Sequence, residues 1–252
     1  MTSIAGVQSC GKSTLLNTIF GVNMETSAGC CTRGINLALV RSEGWNAHFD
    51  YVMIMDTEGL CNPNFQQEGW YDYHNNWLAT VATLAANTCL LMSNNEDDTL
   101  VRKVLPFAML SHFNAADTLE KFGFGQRHLF FIYNRTNPED AERALFQNRF
   151  TLQKMVEEKR EELKIHSERT NGFNPFCLDK KQFYYLGPDL NHPKSYGRNV
   201  LKIRDGIANA CGLQFSPKSL NGWFSLFSCL LDALRVQDFE LSFENFFEIR
   251  YD

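Results

Sequence analysis

Apolar and polar positions follow two different periods along the chain, one typical of strands and one typical of helices. Short and nearly uninterrupted apolar runs predict buried strands. These runs are Thr2–Ala5, Ile35–Arg41, Asp50–Asp56, Cys89–Ser93, His128–Tyr133 and Gln182–Leu186. Between them, apolar residues recur at the spacing of one helix face. The segments that this spacing predicts to be helical are Ser13–Phe20, Trp77–Ala86, Thr99–Phe113, Pro138–Ile165, Tyr196–Cys211 and Ser219–Arg235.

The alternation of these two kinds of segment predicts an α/β fold. Its mostly parallel central sheet would lie between two layers of helices, in a three-layer αβα sandwich. The last two helices, Tyr196–Cys211 and Ser219–Arg235, are expected to pack back on the sheet. No linker rich in proline, glycine and serine divides the chain, so residues 1–252 are interpreted as a single domain. The very short first strand favours a segment of a longer protein.

Composition narrows the class of protein. Hydrophobic residues make up 44% and charged residues 21% of the chain, as in an ordinary globular protein. The net charge of −5 provides no basic surplus for phosphate neutralisation, which argues against a nucleic-acid-binding protein. Eight cysteines occur without a C-x-x-C pair, which argues against a zinc site and predicts reduced thiols, and thus a location in the cytosol or nucleus.

One charge-free stretch, Tyr73–Asn95, is long enough to raise the question of a transmembrane segment. It contains several asparagines and threonines, which are unfavourable in hydrocarbon. A buried helix that runs into a buried strand explains the stretch better, and no transmembrane segment is predicted.

A glycine-bounded loop follows the first strand and precedes the first helix. It reads Gly6-Val7-Gln8-Ser9-Cys10-Gly11-Lys12-Ser13 and fits the pattern G-x-x-x-x-G-K-[ST]. In this pattern, backbone N–H groups surround phosphate at a helix N-terminus, the lysine reaches the β- and γ-phosphates, and the last hydroxyl binds Mg²⁺. These residues and Thr14 are therefore predicted to contact a nucleoside triphosphate, in a P-loop NTPase fold.

Two further segments offer groups to the same site. Asp56-Thr57-Glu58-Gly59 ends a buried strand, where an acid can organise Mg²⁺ and a glycine N–H can approach the γ-phosphate. An ordinary turn acid is the alternative for Asp56. Thr32 lies in a loop of small residues and could offer its hydroxyl to Mg²⁺, although an ordinary loop threonine is equally compatible with the pattern.

Together these motifs resemble the dynamin superfamily, through Gln8-Ser9 in the phosphate loop, Thr32-Arg33 before a strand, and the DTEG segment. The longer stretches are similar to the G domain of the very large interferon-inducible GTPases, the VLIG family. They read QSCGKSTLLNTIFG, SAGCCTRG, DYVMIMDTEGL and FELSFENFFEIRY. The similarity spans residues 2 to about 251 and thins between Asn94 and Glu162.

The resemblance implies binding of GTP and GDP, slow GTP hydrolysis with Mg²⁺, and a homodimer formed through the G domain. It implies that Gln8 orients the attacking water and that Ser9 helps to balance developing charge, with Lys12 and Thr32 completing the catalytic set. Ser13, Thr32 and Asp56 are the expected metal ligands. Guanylate-binding relatives have an arginine in the phosphate loop near Ser9; Arg33 is either its substitute or a solvated arginine.

The base-recognition segment departs from the common N-K-x-D signature. It reads Asn134-Arg135-Thr136-Asn137, with an amide in place of the acid. An amide oxygen accepts hydrogen bonds from guanine less strongly than a carboxylate does. Asn134, Arg135 and Asn137 are the predicted base contacts, while guanine rather than adenine rests on the resemblance. An ATPase of the same fold and an interaction module with little turnover remain as alternatives.

Overall fold

The computed structural model describes residues 1–26, 32–42, 50–62, 69–94, 127–137, 182–211 and 219–234, with single positions between 139 and 177. The predicted helix Thr99–Phe113 and the C-terminal FELSFENFFEIRY stretch lie outside the described residues. So does most of the predicted helix Pro138–Ile165, although its described positions, such as Glu139 and Lys154, are helical.

A central sheet contains all seven strands of the described residues. They are β1 Thr2–Gly6, β2 Ile35–Arg41, β3 Tyr51–Thr57, β4 Thr88–Asn94, β5 Arg127–Asn134, β6 Phe176–Cys177 and β7 Phe183–Tyr185. Their order is β2-β3-β1-β4-β5-β6, and β7 also pairs with β5. Only the β2–β3 pair among these is antiparallel. The prediction of a mostly parallel sheet is confirmed.

Helices cover both faces of this sheet. They are α1 Lys12–Phe20, α2 Gly69–Ala85, α3 Arg198–Cys211 and α4 Leu220–Leu234. Leu16 of α1 and Ile203 of α3 share a core with Ile54 on one face. Leu230 of α4 shares a core with Met55 and with α2 on the other, as expected because successive strand residues point to opposite faces. The αβα sandwich and the packing of the C-terminal helices are therefore confirmed.

Helix α2 differs most from its prediction, since it begins at Gly69 and not at Trp77. Its first half carries polar residues that break the apolar period, among them Asp72, His74 and Asn75. Asn75 is nevertheless buried. The interpretation of Tyr73–Asn95 as a helix followed by a strand is correct, and no helix in the described part of the chain is long and apolar enough to cross a membrane.

Two smaller differences concern short elements. Strand β6, Phe176–Cys177, is too short to produce a period in the sequence and was not predicted. A π-helical turn, Pro193–Gly197, precedes α3, so that this helix begins at Arg198 and not at the predicted Tyr196.

Candidate functional site

The phosphate loop leaves β1 at Gly6 and enters α1 at Lys12. Two backbone hydrogen bonds hold its first part in the sheet: Val7 N donates to Met92 O at 3.2 Å, and Gln8 N donates to Leu60 O at 2.9 Å. The next residue, Ser9, is exposed and has a left-handed φ of 58°. Because the first turn of a helix leaves its amides without intrahelical partners, the start of α1 is a place where an anion can accept hydrogen bonds from the backbone.

Lys12 folds back over this loop. Its side chain is only 7% exposed, and Nζ donates to the carbonyl oxygens of Gly6 and Val7 at 3.3 and 3.4 Å. Its positive charge also reaches the buried Cys10. Burial raises the pKa of the Cys10 thiol, and the Lys12 ammonium partly opposes that rise. The ammonium is thus oriented by backbone carbonyls at the start of the phosphate loop.

Three oxygen-bearing side chains from different elements meet beside the loop. Asp56 Oδ2 accepts hydrogen bonds from Ser13 Oγ at 2.7 Å and from Thr32 Oγ1 at 3.1 Å, and these two hydroxyls are 3.5 Å apart. Asp56 is fully buried, and its Oδ1 has no hydrogen-bond partner among the described residues. Hydroxyl and carboxylate oxygens are the ligands that Mg²⁺ prefers, so the donor set and the orphaned Oδ1 fit this ion.

The DTEG turn packs directly on the phosphate loop. A Cβ added at Gly59 would lie 2.6 Å from Gln8 Cα, so only glycine allows this approach. The backbones of Val7 and Leu60 form an isolated parallel bridge at the same place. Gln8 Oε1 is buried and has no hydrogen-bond partner among the described residues. The two predicted segments therefore form one surface, with an unused acceptor between them.

Of the predicted base contacts, the structure brings Asn134 to the loop and leaves the others at the surface. Asn134 Nδ2 donates to Cys10 O at 2.8 Å, while its buried Oδ1 has no partner among the described residues. Arg135 is exposed with a left-handed φ of 57°. Asn137 is also exposed, and its Oδ1 accepts from Glu139 N at 3.4 Å.

Glu58 makes a contact that sequence reasoning missed, although it belongs to the DTEG motif. Its N–H donates to Gly34 O at 2.8 Å, and its Oε2 accepts from Gly34 N at 2.8 Å. Gly34 lies just beyond Thr32 and has a left-handed φ of 65°, which favours glycine. The segment that carries Thr32 is therefore joined to the segment that carries Asp56.

One face of α2 contacts Glu58 and the residues that follow it. His74 Nε2 lies 3.5 Å from Glu58 Oε2, and Asn75 Oδ1 accepts from Cys61 N at 3.1 Å. Tyr71 Oη accepts from the next amide, that of Asn62. Positions 71, 74 and 75 share a helix face, a spacing that could have indicated a common contact had α2 been predicted to begin early enough.

Comparisons with known proteins identify the family of this chain. Residues 1–176 match the model of the URGCP-like GTPase domain family. Interferon-induced very large GTPase 1 of Mus musculus is 36% identical over 112 residues, which are 42% of this chain and 4% of that protein. Up-regulator of cell proliferation of Homo sapiens is 39% identical over 61 residues, which are 23% of this chain and 7% of that protein. The chain thus matches a small fraction of these relatives' length.

Two solved structures have a looser likeness. A bacterial selenocysteine-specific elongation factor, EF-Sec, aligns over 61% of this chain and 23% of its own, with a TM-score of 0.38 and 18% identity. Elongation factor SelB of Methanococcus maripaludis, in complex with the GTP analogue GppNHp, aligns over 86% of this chain and 34% of its own, with a TM-score of 0.44 and 10% identity. The family rests on the sequence match: the resemblance to VLIG-type G domains is confirmed, and this chain belongs to the URGCP-like GTPase domain family.

Proposed function

We propose that this chain binds GTP together with Mg²⁺ and hydrolyses it to GDP and phosphate. The observation that carries the proposal is the meeting of Ser13, Thr32 and Asp56 beside Lys12. A fully buried carboxylate is costly unless hydrogen bonds or a cation compensate it, and half of the Asp56 carboxylate has no donor among the described residues. A divalent cation would complete the environment of Asp56, and a triphosphate would complete that of Lys12.

Each group of the chain has a defined part in binding. The N-terminal amides of α1 and the Lys12 ammonium bind the β- and γ-phosphates, with Lys12 moving from the carbonyl oxygens of Gly6 and Val7. Ser13, Thr32 and Asp56 would hold Mg²⁺, and this cation would offset the negative charge of the triphosphate. Gly59 offers its N–H close to the γ-phosphate because it packs on the loop at Gln8.

Hydrolysis requires a water molecule aligned with the γ-phosphorus. Gln8 Oε1, buried and without a partner among the described residues, would accept a hydrogen bond from that water. The water oxygen forms a bond to phosphorus as the bond to the bridging oxygen breaks, the β-phosphate leaves with the electron pair, and one proton of the water passes to an oxygen of the transferred phosphate. Ser9 would help to balance the charge that develops, and Thr32 would fix the metal side of the site.

A GTP-dependent interaction module with little turnover is the second candidate. It is favoured by the exposure of Arg33, because an exposed guanidinium stabilises developing charge less than a buried one does. The base segment lacks the usual acid, so the choice of guanine over adenine rests on family membership. Asn134 would still contribute by fixing the loop at Cys10.

As implied by the family resemblance, the G domain would also form a homodimer, which light scattering with and without a GTP analogue would detect.

Phosphate release from GTP is the direct test of the proposed function. We expect Mg²⁺-dependent release by the wild-type chain and none by Lys12→Ala, which also loses binding of a fluorescent GTP analogue. Lys202→Ala removes an equal charge from an exposed position and serves as the matched control.

Three outcomes of this test lead away from GTP hydrolysis. Stoichiometric binding without phosphate release would assign the interaction module. Equal or stronger competition by ATP would overturn the choice of guanine. Failure of GTP to bind with Mg²⁺ present would overturn the proposal as a whole.

A further inference from the structure

We propose that Glu58 and His74 are positioning residues that hold the Thr32 segment against Asp56, so that helix α2 fixes the geometry of the metal site. This inference rests on the proposed function where it concerns turnover. The hydrogen bonds on which it depends exist without nucleotide and can be tested separately. Neither Glu58 nor His74 is assigned here to contact nucleotide or metal.

The first step of the argument is the pairing of Glu58 with Gly34. In the antiparallel β2–β3 ladder, Ile35 pairs with Thr57. The two hydrogen bonds between Gly34 and Glu58, both at 2.8 Å, extend this ladder beyond the strands by one step. The second of them uses the Glu58 side chain, so the extension depends on the identity of this residue. It ends beside Thr32, whose Oγ1 lies 3.1 Å from Asp56 Oδ2.

The second step is the contact of Glu58 with α2. His74 Nε2 lies 3.5 Å from Glu58 Oε2, the same oxygen that accepts from Gly34. The two side chains are only 29% and 25% exposed, and the Trp70 ring packs edge-on against the imidazole with centroids 6.2 Å apart. His74 therefore limits the movement of the carboxylate by packing beside it, and not by a hydrogen bond, because its Nε2 has no hydrogen-bond partner among the described residues. Asn75 fixes the following turn through Cys61 N, so α2 determines where this whole turn lies.

The third step separates positioning from simple stabilisation. Without the Glu58 carboxylate, the Thr32 segment loses a hydrogen bond at its junction with β2, and the Thr32 hydroxyl is free to leave Asp56. Lys12 and the amides of α1 stay in place, because they belong to other elements. Phosphate binding should thus survive, while the step that needs a fixed metal geometry should slow. Loss of a residue that only stabilised the fold would lower phosphate binding and turnover together.

The experiment compares turnover with GDP affinity in four variants of the full chain. In Glu58→Ala we expect kcat to fall about tenfold, the effect of losing one charge-assisted hydrogen bond that is partly exposed, with the Kd for GDP nearly unchanged. Glu58→Gln keeps an acceptor for Gly34 N and should retain most of kcat. His74→Ala should give a smaller fall in kcat. Asp72→Asn removes an exposed acid from the same helix and should match the wild type.

Two results of this comparison would overturn the proposal. One is a Glu58→Gln enzyme as slow as Glu58→Ala, because the carboxylate would then act through its charge. The other is a parallel loss of kcat and GDP affinity.

Amide hydrogen exchange of Gly34, in protein free of nucleotide and metal, tests the same contact without any turnover. Exchange should be faster in Glu58→Ala than in wild type, and unchanged in Glu58→Gln and Asp72→Asn. If the wild type fails to bind GTP, the proposed function falls but this measurement still decides the Glu58–Gly34 contact. If Glu58→Ala does not fold, exchange in His74→Ala replaces it. Exchange of Gly34 equal to wild type in folded Glu58→Ala, or in folded His74→Ala where Glu58→Ala does not fold, refutes the inference.

Discussion

Removal of the Ser13 hydroxyl tests the polar cluster before any ligand is added. Ser13 Oγ donates to Asp56 Oδ2 at 2.7 Å, and Asp56 is fully buried. A hydrogen bond to a charged group contributes about 1.5–3 kcal/mol, and leaving its buried acceptor short of a donor costs toward the upper end. In Ser13→Ala we therefore expect the free energy of unfolding to fall by about 2 kcal/mol, and Tm by about 4–8 °C.

Ser3→Ala is the matched control for this change. Ser3 Oγ is also buried in the sheet and donates to a neutral acceptor, Ala82 O, at 2.6 Å. Its removal should cost only about 1 kcal/mol. Both variants are unfolded with urea in EDTA, and then with GTP and Mg²⁺, where a ligand at a hundredfold its Kd stabilises by about 2.7 kcal/mol. Ser3→Ala should keep the Mg²⁺-dependent part of this increment, and Ser13→Ala should lose it.

Either half of this experiment can contradict the reasoning. If Ser13→Ala costs no more than Ser3→Ala in EDTA, the charge of Asp56 does not strengthen the hydrogen bond. If Ser13→Ala keeps the Mg²⁺-dependent stabilisation, Ser13 is not a metal ligand, whatever its contact with Asp56.

Contacts around the phosphate loop lead to three further expected results, two for variants and one for chemical labelling. Asn134→Ala deprives the Cys10 carbonyl of its donor, so we expect binding of fluorescent GTP to weaken about fivefold to tenfold; unchanged affinity would argue against this contact. Gly59→Ala forces a methyl group to 2.6 Å from Gln8 Cα and should cost about 1–3 kcal/mol in urea unfolding, whereas a wild-type midpoint would exclude the close approach. Because burial raises the pKa of Cys10, little thiolate forms there at neutral pH; iodoacetamide should label the half-buried Cys61 and Cys229 before Cys10, and mass spectrometry showing early labelling of Cys10 would disprove this.

Strands and the phosphate loop could be predicted because their signals are local. A buried strand of a parallel sheet requires an apolar run, and the loop requires its glycines and Lys12 at fixed spacing. Helix α2 was predicted too short because its first half uses polar residues, such as Asn75, to bind backbone amides of the preceding turn. Their burial depends on partners outside the helix, and apolar periodicity cannot show such partners.

Within the site, too, some residues could be predicted from local motifs, and others depended on how the strands pair. Ser13 and Asp56 follow from motifs, whereas the choice between a ligand and an ordinary loop residue for Thr32 depended on where β2 lies. An apolar run does not indicate whether its strand lies parallel or antiparallel to the neighbouring strand. The structure resolves the position by pairing β2 with β3, which brings Thr32 to Asp56. Glu58 stood within a recognised motif, but its partner Gly34 could be found only through that pairing.

The antiparallel pairing of β2 with β3 also bears on which changes in chain length the domain can tolerate. Ile35 pairs with Thr57, which fixes β2 relative to the Asp56 carboxylate. The number of residues from Thr32 to Ile35 therefore determines whether the Thr32 hydroxyl reaches Asp56. One residue inserted or deleted there would shift Thr32 by as much as about 3.8 Å, the spacing of consecutive Cα atoms, and would separate its hydroxyl from the Asp56 carboxylate. Related sequences should therefore vary in length before Thr32 and keep a constant spacing from Thr32 to Ile35.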